Sequence, residues 1–453
     1  MTGVPGSDEW LRDQTRGLLD FALRAVAPEG GFGWLDEDGN IDRVYDRELW
    51  ITCRMTHVCA IGTLLGHPGC REGLDHGVRA IETIFSDHEN GGWYTAVGWD
   101  GSPTDDSKAA YPHAFVILAA SSAVAAGHTD ALPLLREAIA CSTAHFWDDE
   151  YHMIVEEWDR AFTQLDRYRG VNANMHTVEA YLAAADALDL PGVIGEARTW
   201  AEPGADVVTS ADREQAELLR PRRREGIADA AAGGAEPGAT VAEILRNRAY
   251  LILDRVINRE ARANGWRIPE HFDTAWQPLP DFNRDHPADP FRPYGATVGH
   301  GLEWARLCLQ AQASLSDSPD WMGDAATALY DRALADGWAV DGADGFVYTT
   351  DWDGLPVVHE RMHWVLAEAL NTAFVLAKLR LCDTAASTAQ WWAYADECFI
   401  DHVRGSWRHE LDRHNQASAT VWAGKPDVYH AIQATVLPSL PVAPAIVSAL
   451  ALR

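Results

Sequence analysis

Residues 90–127 read NGGWYTAVGWDGSPTDDSKAAYPHAFVILAASSAVAAG. The first half is punctuated by Gly, Asp and Trp, a composition that favours turns and short hairpins. The second half, from His113 to Gly127, places apolar residues at i, i+3, i+4 and i+7, which predicts a helix. The same alternation recurs along the chain. EGGFGWLDEDGN (29–40), FWDDEYHMIVEEWD (146–159), NGWRIPEHFDTAW (264–276), ADGFVYTTDWDGLP (343–356) and RGSWRHELDRHN (404–415) repeat the punctuation. NMHTVEAYLAAADAL (174–188), HGLEWARLCLQAQASL (300–315) and RMHWVLAEALNTAFVLAKL (361–379) repeat the helix.

The six punctuated pieces lie roughly 60 to 80 residues apart, which fits one helix pair plus its connection. One gap is longer, about 117 residues, and it contains the Ala-, Gly-, Pro- and charge-rich stretch 201–242. Removing that stretch restores the period, so 201–242 reads as an inserted loop that buries little. Six helical hairpins in one chain predict an all-α fold, a closed (α/α)6 barrel with short β-hairpin connections, as one domain over 1–453. In such a ring the inner helices converge on one axis, and their ends with the connections form a single funnel, the default place for a ligand.

Composition narrows the partners. The chain is 47% hydrophobic and 23% charged, as expected of a globular protein with a large core. A formal net charge of −30 repels phosphate backbones and anionic membranes, which argues against nucleic acid and membrane surfaces as partners. The N-terminus has no basic start followed by an apolar run, no apolar stretch is long enough for a membrane span, and seven cysteines without CxxC spacing read as reduced thiols. A cytoplasmic protein is expected. Nineteen Trp are far above ordinary usage, and many sit in or beside the connections. Most must fill helix-to-helix gaps; the rest can line a funnel for sugar rings, whose C–H faces stack on indoles.

The usual nucleotide, serine-hydrolase and zinc signatures are absent. What stands out is histidine at the predicted starts of inner helices. GVNANMHTVEA carries His176 with Glu179, GHGLEWARL carries His300 with Glu303, and GKPDVYHAIQ places His430 just after Asp427 and Tyr429. The positive end of a helix disfavours a cationic imidazole and holds it neutral, as a proton acceptor. A carboxylate one turn on can orient the ring, the arrangement of a general acid–base pair. Histidine and glutamate also ligate metals, but HxxxH and HxH spacings are missing, so no metal and no cofactor is expected.

RMTHVCAIG, GGWYTAVGWDG, KAAYPHAFVILAAS, RGVNANMHTVEAYLAA, GWRIPEHFD, FRPYGATVGHGLEWARL, GFVYTTDWDG and GKPDVYHAIQA resemble the N-acylglucosamine 2-epimerase superfamily. The similarity is greatest to its aldose–ketose isomerase branch, the mannose and sulfoquinovose isomerases. It runs nearly end to end and is interrupted by the insertion. The resemblance implies an (α/α)6 barrel and a metal-independent isomerase of monosaccharides. It implies that His430 removes the proton at C2 and returns it to C1, and that His300 assists ring opening. Glu303 and His176 correspond to sugar-contacting residues, and Arg54, Tyr111, Asn172, Trp364 and Arg292 to the pocket wall. In the sulfoquinovose branch two glutamines help hold the sulfonate; this chain has His409 and Pro426 at the matching places. Proline has no side-chain donor, so interconversion of D-mannose with D-fructose, and of D-lyxose with D-xylulose, is the expected activity. A sugar 2-epimerase keeps the same two histidines and is the alternative. An inverting glycoside hydrolase would need two carboxylates roughly 6.5–9.5 Å apart, for which Glu179, Glu303 and Asp427 are candidates, without needing the histidines.

Overall fold

The computed structural model describes residues 3–201, 207–219 and 239–453. Its helices are α1 (Asp8–Ala22), α2 (Leu49–Leu64), α3 (Cys70–Thr83), α4 (Ala110–Ala125), α5 (Ala131–Cys141), α6 (Val171–Leu188) and the single turn α7 (Ile194–Ala197). They continue with α8 (Ser210–Leu219), α9 (Val241–Leu253), α10 (Val298–Ser314), α11 (Trp321–Gly337), α12 (His363–Lys378), α13 (Ala385–Tyr394), α14 (Tyr429–Val436) and α15 (Ile446–Ala451). Helices α2, α4, α6, α10, α12 and α14 form the inner ring, and α3, α5, α9, α11, α13 and α1 pack outside them in the same order. This is the expected (α/α)6 barrel.

The two rings follow from the two kinds of sequence. In α2 every residue from Leu49 to Gly62 is buried, because an inner helix has protein on all sides and needs no polar face. In α3 burial is confined to positions such as Cys70, Gly73, Leu74, Gly77, Val78 and Ile81, the stripe of an amphipathic outer helix.

The connections are short strands with a regular task. The two residues before an inner helix pair antiparallel with the connection of the next repeat: Arg47–Glu48 with Ala96–Val97, and Lys108–Ala109 with Glu157–Trp158. Arg169–Gly170 pairs with His271–Phe272, Ala296–Thr297 with Thr349–Thr350, and Arg361–Met362 with Glu410–Leu411. The ring closes where the Lys425 amide donates to the Leu35 carbonyl at 2.8 Å and Trp34 Nε1 donates to Ala423. Each inner helix therefore enters the barrel at the same end, from a position fixed by its neighbour.

The insertion needs correction at one edge. Residues 202–206 and 220–238 lie outside the described residues, but Val207, Val208 and Asp212 are buried. Asp212 forms a doubly bonded ion pair with Arg248 of α9, at 2.8 and 2.7 Å, and the Val207 carbonyl accepts from Thr143. The polar composition of the stretch concealed this anchor, because one buried ion pair leaves no periodic pattern.

Candidate active site

The N-terminal ends of the inner helices surround a cavity of about 680 Å³. Helix α2 supplies Trp50 and Arg54, α4 Tyr111, α6 Asn172 and His176, α10 His300 and Glu303, α12 His363 and Trp364, and α14 His430. The connections add Phe291, Tyr348, His409, Trp422, Pro426 and Asp427, among others. The nine residues singled out from the sequence thus come together, except Arg292. That side chain is turned away, its guanidinium lying over the Tyr168 ring at 4.2 Å, while its neighbours Phe291 and Pro293 form the wall.

Two histidines line the cavity beside one indole. The Trp364 ring lies 5.4 Å from His300 and 5.7 Å from His430, centroid to centroid. This placement depends on Gly299, where a Cβ would collide with the Trp364 ring. His430 Nδ1 is 2.9 Å from Glu368 Oε1, and His300 Nδ1 is 3.0 Å from both oxygens of Glu270. A carboxylate accepts and does not donate, so each ring carries its hydrogen on Nδ1 and presents Nε2 for chemistry. Burial lowers the pKa of His430, and the Glu368 carboxylate only partly opposes this, so the ring stays a neutral base near pH 7.

The carboxylate partners differ from the sequence expectation. Glu303, one turn after His300, does not hold that ring; Glu270 does. Glu303 turns to the barrel axis, where Arg306 Nη2 reaches it at 3.3 Å, and Arg306 Nε bonds Glu368 at 2.7 Å. Glu179 Oε1 lies 3.7 Å from the same guanidinium, and Glu179 Oε2 accepts from Tyr429 Oη. His176 Nδ1 stands 3.6 Å from Glu179 and 3.9 Å from Glu303, too far for a hydrogen bond to either. Three carboxylates thus share one guanidinium. Burial, with Glu368 alongside, drives the Glu303 carboxyl well above its ordinary range, whereas Arg306 overcomes burial at Glu368 and holds it below. Glu303 is the neutral acid of the group.

Arg54 carries the positive charge of the opposite wall. It bonds Tyr111 Oη at 2.9 Å and Asp427 Oδ2 at 3.2 Å, and its guanidinium stacks near Phe115 and Tyr429 at 4.5 and 4.7 Å. Asn172 Oδ1 and His363 Nε2 are buried without a protein partner and line the cavity, ready for hydroxyl groups. Of the tryptophans, Trp50, Trp364 and Trp422 line it, whereas Trp93, Trp276, Trp304 and Trp407 are core. Among the described residues, two groups could geometrically hold a metal, His176–Glu179–Glu303 and Glu303–Glu368–His430. Arg306 already lies against the carboxylates of both.

The residues missed in the sequence are Glu270, Glu368 and Arg306. Glu368 and Arg306 had a readable signal, charged residues in the middle of otherwise largely apolar inner helices. Glu270 had none, since it reaches His300 from a connection 30 positions earlier.

The family model for N-acylglucosamine 2-epimerase matches residues 30–218 and 235–434. The chain is 43% identical to a D-mannose isomerase of Thermobifida fusca over 98% of its own length and 96% of the relative's. It is 40% identical to a D-mannose isomerase of Pseudomonas cannabina pv. alisalensis, over 99% and 96%. A crystal structure of D-mannose isomerase superposes with a TM-score of 0.79 at 24% identity, covering 97% of this chain and 99% of that one, and shares the fold. This chain belongs to the N-acylglucosamine 2-epimerase family.

Proposed function

We propose that the protein is an aldose–ketose isomerase that interconverts D-mannose with D-fructose, and D-lyxose with D-xylulose, through a cis-enediol. The observation that carries this reading is the pair of histidines, each held on a carboxylate through Nδ1 and flanking Trp364 in one cavity. The conversion needs a base at C2, a group that helps open the ring, and support for the enediolate oxygens. His430 removes the C2 proton on Nε2 and delivers it to C1; His300 serves the ring oxygen. Arg54 and the neutral Glu303 support the oxygens, while Asn172, His176 and Tyr111 hold hydroxyls. Acid, base and cation are all supplied by side chains, so the reaction is metal-independent. The names of the 43% and 40% identical relatives support the same substrate.

Two wall residues favour a neutral C6 hydroxyl over a sulfonate. Pro426 offers no donor, and His409 Nε2 is already 2.9 Å from the Asp427 carbonyl, to which it donates. A sulfonate stripped of water without donors costs several kcal/mol. The partner is a monosaccharide rather than nucleic acid or membrane. All seven cysteines are free, and among the described residues no helix is long and apolar enough to cross a membrane, which supports a cytoplasmic enzyme. Incubation with D-mannose in heavy water, read by NMR, tests the reading. Fructose as product is expected; glucose would make the protein a 2-epimerase, and an unchanged sugar would remove the proposal.

A further inference from the structure

A second cavity, of about 550 Å³, lies on the barrel axis behind the charged cluster, beneath α15. Glu179 and Arg306 form part of its wall, with His57, Ser122, Gln310 and Gln433. His57 shares a helix with Arg54 but points into this space rather than into the sugar cavity.

The hydrogen bonds fix what the cavity asks of an occupant. The Ser122 hydroxyl donates its one hydrogen to Leu118 O at 2.7 Å, so at 2.8 Å it accepts from His57 Nδ1. His57 Nε2 is therefore a bare acceptor, in a side chain only 3% exposed, and no protein donor reaches it. Gln433 donates through Nε2 to Glu179 at 3.3 Å, which leaves its Oε1, fully buried, as a second acceptor without a donor. Two buried acceptors beside a carboxylate call for a small molecule with two hydrogens to give. Buried polar groups of this kind are met by internal water.

We propose that this cavity is a buried water site in which water bridges His57 and Gln433 and solvates Glu179 from the side away from the sugar. The water has a functional role. Glu179 is faced by His176 from its own helix, by Arg306 and Glu303 from α10, by Tyr429 from α14 and by His57 from α2. Burial works against the Glu179 carboxylate, but its charged and hydrogen-bonding neighbours hold its pKa below the ordinary range; solvation from behind adds to them, and the carboxylate accepts from Tyr429.

A high-resolution crystal structure of the sugar-free protein should show water between His57 and Gln433, and ¹⁵N NMR should find the His57 proton on Nδ1. A cavity that is dry while other interior waters are visible, or a proton on Nε2, would overturn the proposal. Both are read without substrate, so they are independent of what the enzyme converts. His57→Phe removes one of the two acceptors and fills the space, so the water should be gone from a crystal structure of the variant. Water retained there with unchanged position and occupancy would also overturn it. Should His57→Phe fail to fold, Ser121→Val narrows the same cavity and is read in the same way.

Discussion

Glu368 and Glu270 decide what the two histidines can do. By accepting from Nδ1 they leave Nε2 of His430 and His300 facing the sugar, and their removal would free each ring to turn or change tautomer. His430→Ala and His300→Ala should each lower kcat by about 10² or more, the contribution of a positioned acid–base group; steady-state kinetics with mannose checks this. Because burial lowers the pKa of His430, its base form persists below the ordinary 6.5. The limb of the pH–rate profile that reports this ring should accordingly fall below that value, and a limb above it would contradict the assignment. Glu303 gives a less intuitive expectation. Its carboxyl is held protonated by burial and by Glu368, so Glu303→Gln preserves a neutral donor of the same shape. It should keep kcat within roughly tenfold, a barrier change of about 1.4 kcal/mol, whereas Glu303→Ala should lose much more.

Ties between elements hold the barrel in register. A basic residue just before an inner helix reaches back to the preceding connection: Lys108 to Asp87 at 3.1 Å, Arg361 to Asp341 at 2.6 Å, and Lys425 to Asp401 at 2.8 Å. Burial works against the Asp401 carboxylate, but the Lys425 bond prevails and lowers its pKa to about 2. Its ordinary value is 3.8, so the stability it contributes is complete above that pH and is lost as pH falls toward about 2. Thermal melts of wild type and Lys425→Met across that range should converge at the acid end. The anchor of α8 belongs to this scale as well. Asp212→Ala leaves Arg248 buried and unpaired and should cost about 3–5 kcal/mol, visible as a lowered melting temperature. The periodicity of the sequence announced the helices and hairpins, yet these ties passed unnoticed, because an ion pair joins residues that are distant in sequence and has no local signature.

For the molecule as a whole, the proposed sugar preference rests on Pro426 and His409 in the cavity wall. Measured on one preparation, kcat/KM should favour mannose clearly over sulfoquinovose; the reverse preference would mean that the anion is gripped by residues other than Pro426 and His409. Activity should survive EDTA, since Arg306 rather than a metal neutralises the carboxylates on the axis. Loss in EDTA with recovery on adding a divalent ion would transfer the enediolate support to a metal at one of the two carboxylate–histidine groups.

The sequence by itself determined the all-α barrel, its six repeats and the funnel end, and it singled out three histidines at inner-helix starts. Each of these is written locally, in helical period, turn residues and the polar exception within an apolar helix. Only the tertiary structure decided which carboxylate serves which histidine, that Arg292 leaves the wall while Phe291 and Pro293 form it, and that His57 faces a second cavity. These depend on where side chains from different repeats meet around a closed ring. Sequence spacing places residues on a helix face, but the angle at which that face meets its neighbours is set by packing across the axis.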